Sequence, residues 1–130
     1  MSSKKRILVV DDEEQLRWMV KVSLENGGYE VIAAESGVKA LEEAGKSKFD
    51  LFILDIMMPG LSGWDTLARL RELPSSKNTP VLMLSAKSTL TDVEQSLELG
   101  ANDYVTKPFD VHTLNDKIKR LVGLSDSLPS

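Results

Sequence analysis

Ile7-Leu8-Val9-Val10-Asp11-Asp12 is a continuous apolar run that stops on two carboxylates. It lacks the alternation of a half-exposed strand, so it predicts a strand covered on both faces, as in a parallel sheet flanked by helices. The same design recurs downstream. Leu51-Phe52-Ile53-Leu54 ends in Asp55, Val81-Leu82-Met83-Leu84 in Ser85, and Tyr104-Val105-Thr106 in Lys107, whereas Val31-Ile32-Ala33-Ala34 ends without an obvious reactive group. If these runs are parallel strands, their carboxyl ends share one edge of the sheet, which is where open α/β folds hold ligands. Three acids, a hydroxyl and an ammonium then meet in one pocket.

Helical spacing fills the intervals. Leu16, Met19, Val20 and Leu24 come first, followed by Val38, Leu41 and Ala44, then Trp64, Leu67 and Leu70. Leu90, Val93 and Leu97 form a fourth set, and Val111, Leu114, Ile118, Leu121 and Val122 a fifth. Each set places apolar groups on one side of a helix, giving five strand–helix units. Gly27-Gly28 and Gly100 end helices, Pro59-Gly60 and Gly63 break the chain after Asp55, and Pro74 through Pro80 reads as a polar loop. Asp110 is the expected N-cap of the last helix. Residues 125–130 have little to bury and read as a frayed tail or the start of a linker.

Composition narrows the class of protein. A chain of 130 residues suits one domain, and at this size it buries roughly two thirds of the surface its unfolded form exposes. There is no cysteine, which removes disulfides, thiolate metal sites and cysteine nucleophiles and fits a reducing cytoplasm. Sixteen basic residues against 20 acidic ones give a net charge of −4, which argues against direct binding of nucleic acid. Lys4-Lys5-Arg6 precedes an apolar stretch far too short for a signal peptide, and reads as a solvated lead-in to the first strand. No apolar run approaches the roughly 20 residues that span a bilayer.

Asp11, Asp12 and Asp55 would meet across adjacent strands. Carboxylates this close repel one another, so the cluster either holds protons or binds a cation. Magnesium suits it, because that ion takes octahedral oxygen ligands from one or two carboxylates, waters and phosphate oxygens; manganese is the alternative. A carboxylate attacks phosphorus when a cation neutralises both it and the incoming group. Asp55 is the expected nucleophile, since it follows the longest apolar strand and the Met58-Pro59-Gly60 turn opens space beyond it. The resulting acyl phosphate carries roughly −1.5 to −2 charges and needs an ammonium and a hydroxyl. Lys107 and Ser85 supply those chemistries. Any one of these residues alone reads as a cap, a turn former or a surface group, as Asp50 and Asp65 do. Five reactive groups at four strand ends shift that balance.

These residues resemble the receiver domains of bacterial two-component response regulators, over 5–124. The similar motifs are Ile7-Leu8-Val9-Val10-Asp11-Asp12-Glu13, Asp55-Ile56-Met57-Met58-Pro59 with Gly63, Ser85-Ala86, Gly100-Ala101-Asn102-Asp103-Tyr104 and Lys107-Pro108-Phe109. The resemblance implies a flavodoxin-like, doubly wound five-stranded parallel sheet of order 2-1-3-4-5, with two helices on one face and three on the other. It implies Asp55 as the phosphoacceptor, Asp12 as a direct magnesium ligand, Asp11 as a ligand through water and the backbone carbonyl of Met57 as a further ligand. Ser85 and Lys107 would contact the phosphoryl group, small Ala86 would leave room for it, and the Lys107–Pro108 bond would be cis. Phosphorylation would draw Ser85 inward with Tyr104 following, and would alter a surface of the fourth helix, fifth strand and fifth helix that serves as a dimer or effector interface. A histidine kinase or histidine phosphotransfer protein would dock near Leu16, Met19, Pro108 and Phe109, and a downstream effector or output domain would read the result. Met57 and Lys87 flank the expected phosphoryl position; an apolar Met57 cannot orient an attacking water, which predicts slow to intermediate self-dephosphorylation.

The expected role is thus a cytoplasmic signalling phosphoacceptor whose only catalysis is its own phosphorylation and dephosphorylation. The alternative is a phosphorylation-independent interaction module. Kinase activity is disfavoured because no phosphate-cradling glycine loop follows the first strand, and the sole histidine, His112, falls outside the constellation. A magnesium-dependent phosphohydrolase would want a second aspartate where Met57 stands. A flavin carrier would want a phosphate-binding loop where Asp11-Asp12-Glu13-Glu14 repels phosphate.

Overall fold

The computed structural model describes residues 4–86 and 90–127. Its elements alternate throughout: β1 (Arg6–Val10), α1 (Glu14–Asn26), β2 (Glu30–Ala34), α2 (Gly37–Lys46), β3 (Leu51–Asp55), α3 (Gly63–Glu72), β4 (Val81–Ser85), α4 (Leu90–Glu98), β5 (Asp103–Thr106) and α5 (Val111–Ser127). The strands form one parallel sheet of order β2-β1-β3-β4-β5. This is the flavodoxin-like arrangement expected. No described helix is long and apolar enough to cross a membrane.

The continuous apolar runs are explained by the two cores. Successive side chains of a strand point to opposite faces, so Ile7, Val9, Leu51, Ile53, Leu82 and Leu84 join one core while Leu8, Val10, Phe52, Leu54, Val81 and Met83 join the other. The first core is closed by Val20 and Leu24 of α1 and by Leu114, Ile118, Leu121 and Val122 of α5. The second is closed by Ala40 and Ala44 of α2 and by Leu67 and Leu70 of α3, with Leu99 just beyond α4 packed against it. Burying such a side chain contributes about 1.5–3 kcal/mol. A substitution to a charged residue in β1, β3 or β4 has no solvent-facing side to escape to.

Local signals set the helix ends. Ser36 caps α2 by accepting from the Lys39 N–H at 3.2 Å, and Ser62 caps α3 by accepting from the Asp65 N–H at 3.1 Å. Asp110 accepts from the His112 N–H and the Thr113 hydroxyl, both at 3.3 Å, at the start of α5. Gly28, Gly60 and Gly100 have positive φ, which L side chains rarely adopt. Asp50 accepts from the Arg6 N–H at 2.8 Å.

Three sequence readings need correction. The basic lead-in is not simply solvated, because Arg6 opens β1, pairs with Glu30 at 2.6 Å and lies over the Phe49 ring. The expected tail at 125–130 starts too early, since α5 runs on to Ser127. Residues 128–130 lie outside the described residues. Finally, Val38 of α2 and both leucines of α4 turn away from the core that their spacing assigned them to, although Leu41 and Ala44 of α2 do face it. Val38 is 54% exposed while Ala40 and Ala44 are buried, and on α4 both Leu90 and Leu97 are exposed while Ser96 is buried.

Candidate functional site

Asp11 and Asp12 follow β1, Asp55 ends β3, Ser85 ends β4 and Lys107 follows β5. Parallel register brings them together: Ile7 to Val10 pair with Leu51 to Leu54, and Asp55 and Ser85 pair with Leu84 and Thr106. The Lys107 N–H donates to the Ser85 carbonyl at 2.8 Å, and the Lys107–Pro108 bond is cis.

Carboxylate oxygens of Asp11, Asp12 and Asp55 all lie within 4.8 Å of one another. Asp11 and Asp55 are buried and Asp12 is exposed, so the cluster opens to solvent on one side. The Lys107 ammonium donates to Asp11 Oδ2 at 2.8 Å and lies 3.5 Å from Asp55 Oδ1. The other Asp11 oxygen accepts from the Glu13 N–H at 2.9 Å, and the Asp11 carbonyl accepts from Arg17 Nη1 at 2.8 Å. Asp11 is thereby held from three directions. Glu13 occupies the N-cap position of α1 without capping it with its side chain, because its carboxylate turns to Lys107 at 3.3 Å.

One ammonium faces three carboxylates, so negative charge remains in excess. Burial and then the Asp11 carboxylate raise Asp55 to a pKa of about 6, against the lowering effect of Lys107. Burial works against the Lys107 charge, yet the hydrogen bond to Asp11 and the charges of Asp11, Asp55 and Glu13 hold its pKa above the ordinary lysine range. Such a cluster, short of positive charge and oxygen-rich, fits a hard divalent cation.

The Asp55 backbone is clamped from behind. The Gly63 N–H donates to the Ile56 carbonyl at 2.8 Å, and a Cβ at Gly63 would lie 2.2 Å from the Asp55 carbonyl oxygen and 2.7 Å from Ile56 Cα. Only glycine allows this approach. Beyond the cluster, Ala86 is exposed, as is the Met57 side chain, while Lys87 lies outside the described residues.

Tyr104 packs against the second core, and its hydroxyl is buried without a hydrogen-bond partner among the described residues. Burial raises its pKa; the nearby Ser85 hydroxyl favours the phenolate, although no bond of ordinary geometry reaches the Tyr104 oxygen. Of the expected docking residues, Leu16 and Phe109 pack against the first core while Met19 and Pro108 are exposed. Trp18, next to Met19 in sequence, is 67% exposed. His112 is exposed at the start of α5. Sequence reasoning missed Glu13 and Arg17 as groups that hold the cluster, because a charged residue in the first turns of a helix has no feature separating a site contact from a solvated side chain.

Comparison with known proteins agrees with this geometry. The family model described as the response regulator receiver domain matches residues 7–119. The alkaline phosphatase synthesis transcriptional regulatory protein PhoP of Bacillus subtilis is 43% identical over 122 residues, which cover 94% of this chain and 50% of that protein. The chain spans about half the length of the curated relatives it matches. Among solved structures, the chemotaxis protein CheY4 of Vibrio cholerae superposes with a TM-score of 0.89 at 34% identity, covering 92% of this chain and 99% of that one. The response regulator TrrA of Thermotoga maritima, solved in complex with Mg2+ and BeF, gives a TM-score of 0.80 at 39% identity, covering 90% and 98%.

Proposed function

The chain belongs to the response regulator receiver domain family, and from that premise we propose that Asp55 is its phosphoacceptor and that the cation bound by the acidic cluster is magnesium. The chain is a receiver domain of two-component response regulators, a signalling fold. The observation that carries the site reading is the convergence of Asp11, Asp12 and Asp55 within 4.8 Å with Lys107 against two of them.

Asp11, Asp12, Asp55 and the Met57 carbonyl would hold the ion, which supplies charge neutralisation between the carboxylate and the incoming phosphoryl group. The Asp55 carboxylate attacks phosphorus, the bond from phosphorus to the donor imidazole breaks, and that imidazole leaves with the electron pair and takes up a proton. Lys107, already held by Asp11, offers its ammonium to the transferred oxygens, and the Ser85 hydroxyl donates a second hydrogen bond. Ala86 leaves the space. The donor is a histidine kinase or a histidine phosphotransfer protein in the cytoplasm, and it docks on exposed Met19 and Pro108.

The output side is α4, β5 and α5. Leu90 and Leu97 of α4 are exposed apolar groups, and half-buried Asp103 of β5 joins Lys117 and exposed Arg120 of α5 in an ionic cluster. Apolar groups beside charged ones suit a self-complementary or effector interface. A new dianion at Asp55 biases this surface through Ser85 and Tyr104. Where the chain forms part of a longer regulator, that surface governs the output segment.

The experiment is intact-mass measurement after incubation with acetyl phosphate and magnesium, beside an Asp55→Asn variant. A gain of roughly 80 Da for one phosphoryl group, dependent on both magnesium and Asp55, is expected. No adduct, together with no response to magnesium and beryllofluoride, would favour a phosphorylation-independent module.

A further inference from the structure

Helix α4 is held differently from its neighbours. α1, α3 and α5 bury leucine, isoleucine or valine side chains and α2 buries two alanines, whereas the only described buried residue of α4 is Ser96. Its apolar residues Leu90 and Leu97 are 73% and 48% exposed. Periodicity alone would turn those leucines inward, so another interaction sets the rotation of this helix.

That interaction is polar. Trp64 Nε1 of α3 donates to Ser96 Oγ at 2.9 Å, and the same hydroxyl donates onward to the Asp92 backbone carbonyl at 3.0 Å. Ser96 is fully buried, and its acceptor and donor roles are both used. The Trp64 ring packs against the same core as Tyr104 and Leu99. Trp64 is half-buried, and turning the buried Ser96 hydroxyl away would take from its indole N–H the acceptor it uses here. Apolar packing is non-directional, whereas this bond requires one rotation and one height of α4 against α3.

We propose that the Trp64–Ser96 hydrogen bond is the clasp that holds α4 against α3 and sets how readily α4 opens. On the receiver reading above, it therefore also sets the resting bias of the surface formed by α4, β5 and α5. Segments with few buried apolar contacts open at low free energy, so one directional bond dominates the opening of α4 where it would be minor in α1 or α5.

Hydrogen exchange of the full chain tests this, read at amides 94–98 and referred to those of β1 and β3. Ser96→Ala and Trp64→Phe should each speed exchange in α4 about tenfold, and the double variant should be no faster than either single one, because both remove the same bond. Alanine is the better helix former, so if Ser96 merely occupied a helix position, Ser96→Ala would slow exchange. Unchanged or slower α4 exchange in Ser96→Ala, or additive acceleration in the double variant, overturns the clasp. Ser96→Ala carries the test if Trp64→Phe folds poorly. A second arm adds magnesium and beryllofluoride to the wild type: failure to alter exchange there counts against the phosphoacceptor reading, while the metal-free arm judges the clasp independently.

Discussion

Lys107 Nζ donates to Asp11 Oδ2 at 2.8 Å across 96 residues of sequence, and this bond leaves its charge 3.5 Å from Asp55. The lysine therefore does two opposed things. It relieves the carboxylates, and it repels any cation they bind. Lys107→Met should tighten magnesium binding about tenfold, since a unit charge at such distances is worth from about 1 to about 4 kcal/mol depending on solvent screening. The same change should slow phosphorylation by acetyl phosphate about a hundredfold, the usual cost of losing one preorganised donor to a developing anion. Calorimetric titration and intact-mass time courses read the two effects, and a variant that weakened both would show that Lys107 only supports the fold.

Asp55 has a pKa of about 6 in the metal-free protein, well above the 3.8 of an exposed carboxyl. The folded state therefore keeps a proton that the unfolded state releases, so stability falls as pH rises from about 4 to about 6 and is level above. In chelator, Asp55→Asn should be more stable than wild type at pH 7.5, and most of that gain should be lost by pH 4.5. Urea unfolding at both values measures it; a gain independent of pH would mean that the asparagine acts through packing instead.

Magnesium competes with that same proton. Its apparent affinity should fall as pH drops below 6, approaching tenfold per unit, because the ion binds the ionised carboxylate. Titration calorimetry between pH 5 and 7.5 checks this, and a flat profile would remove Asp55 from the ligand set.

The three central strands were legible because burial on both faces leaves them continuously apolar, while the edge strands β2 and β5 are only partly buried; the clustering of Asp11, Asp12, Asp55, Ser85 and Lys107 followed from parallel register once strand ends were aligned. Rotation of α4 was not legible. Leu90, Val93 and Leu97 share a side, and nothing in their spacing says that Trp64, 32 residues before Ser96, pulls the opposite side inward. Arg71 escaped notice for a related reason. A cation near the end of an amphipathic helix looks solvated until the loops that cover it are placed.

Gly63 and Gly60 separate two uses of glycine near the site. A methyl group at Gly63 would strike the Asp55 and Ile56 backbone, which cannot swing aside, whereas at Gly60 it meets open space and only the positive φ of 76° opposes it. Gly60→Ala should cost about 1–2 kcal/mol, the left-handed penalty, and leave phosphorylation intact. Gly63→Ala should cost about 3 kcal/mol, at the upper end for overpacking, and slow phosphorylation by displacing Asp55. Urea midpoints with the mass assay separate the two, and equal behaviour of both variants would contradict the close approach.

Arg71 of α3 joins two loops at the other edge of the sheet. Its Nη1 donates to the carbonyls of Ser76 and Thr79 at 2.9 and 2.6 Å, and its Nη2 to the Gly100 carbonyl at 2.7 Å and to Asn102 Oδ1 at 3.4 Å. Asn102 Oδ1 also accepts from the Val81 N–H at 2.9 Å, so the guanidinium supports the start of β4. Burial lowers the Arg71 pKa, and carbonyl dipoles stand where a carboxylate would be expected. Arg71→Met should cost about 2–4 kcal/mol, since several carbonyls lose a charged donor at once. Arg71→Lys should recover less than half, because one ammonium cannot reproduce the planar fork. Because the contacts lie at the edge opposite Asp55, the phosphorylation rate of the folded fraction should be unchanged in both variants. Urea midpoints and acetyl phosphate kinetics measure these separately, and a slowed rate in fully folded Arg71→Met would show that the loops it joins are coupled to the site.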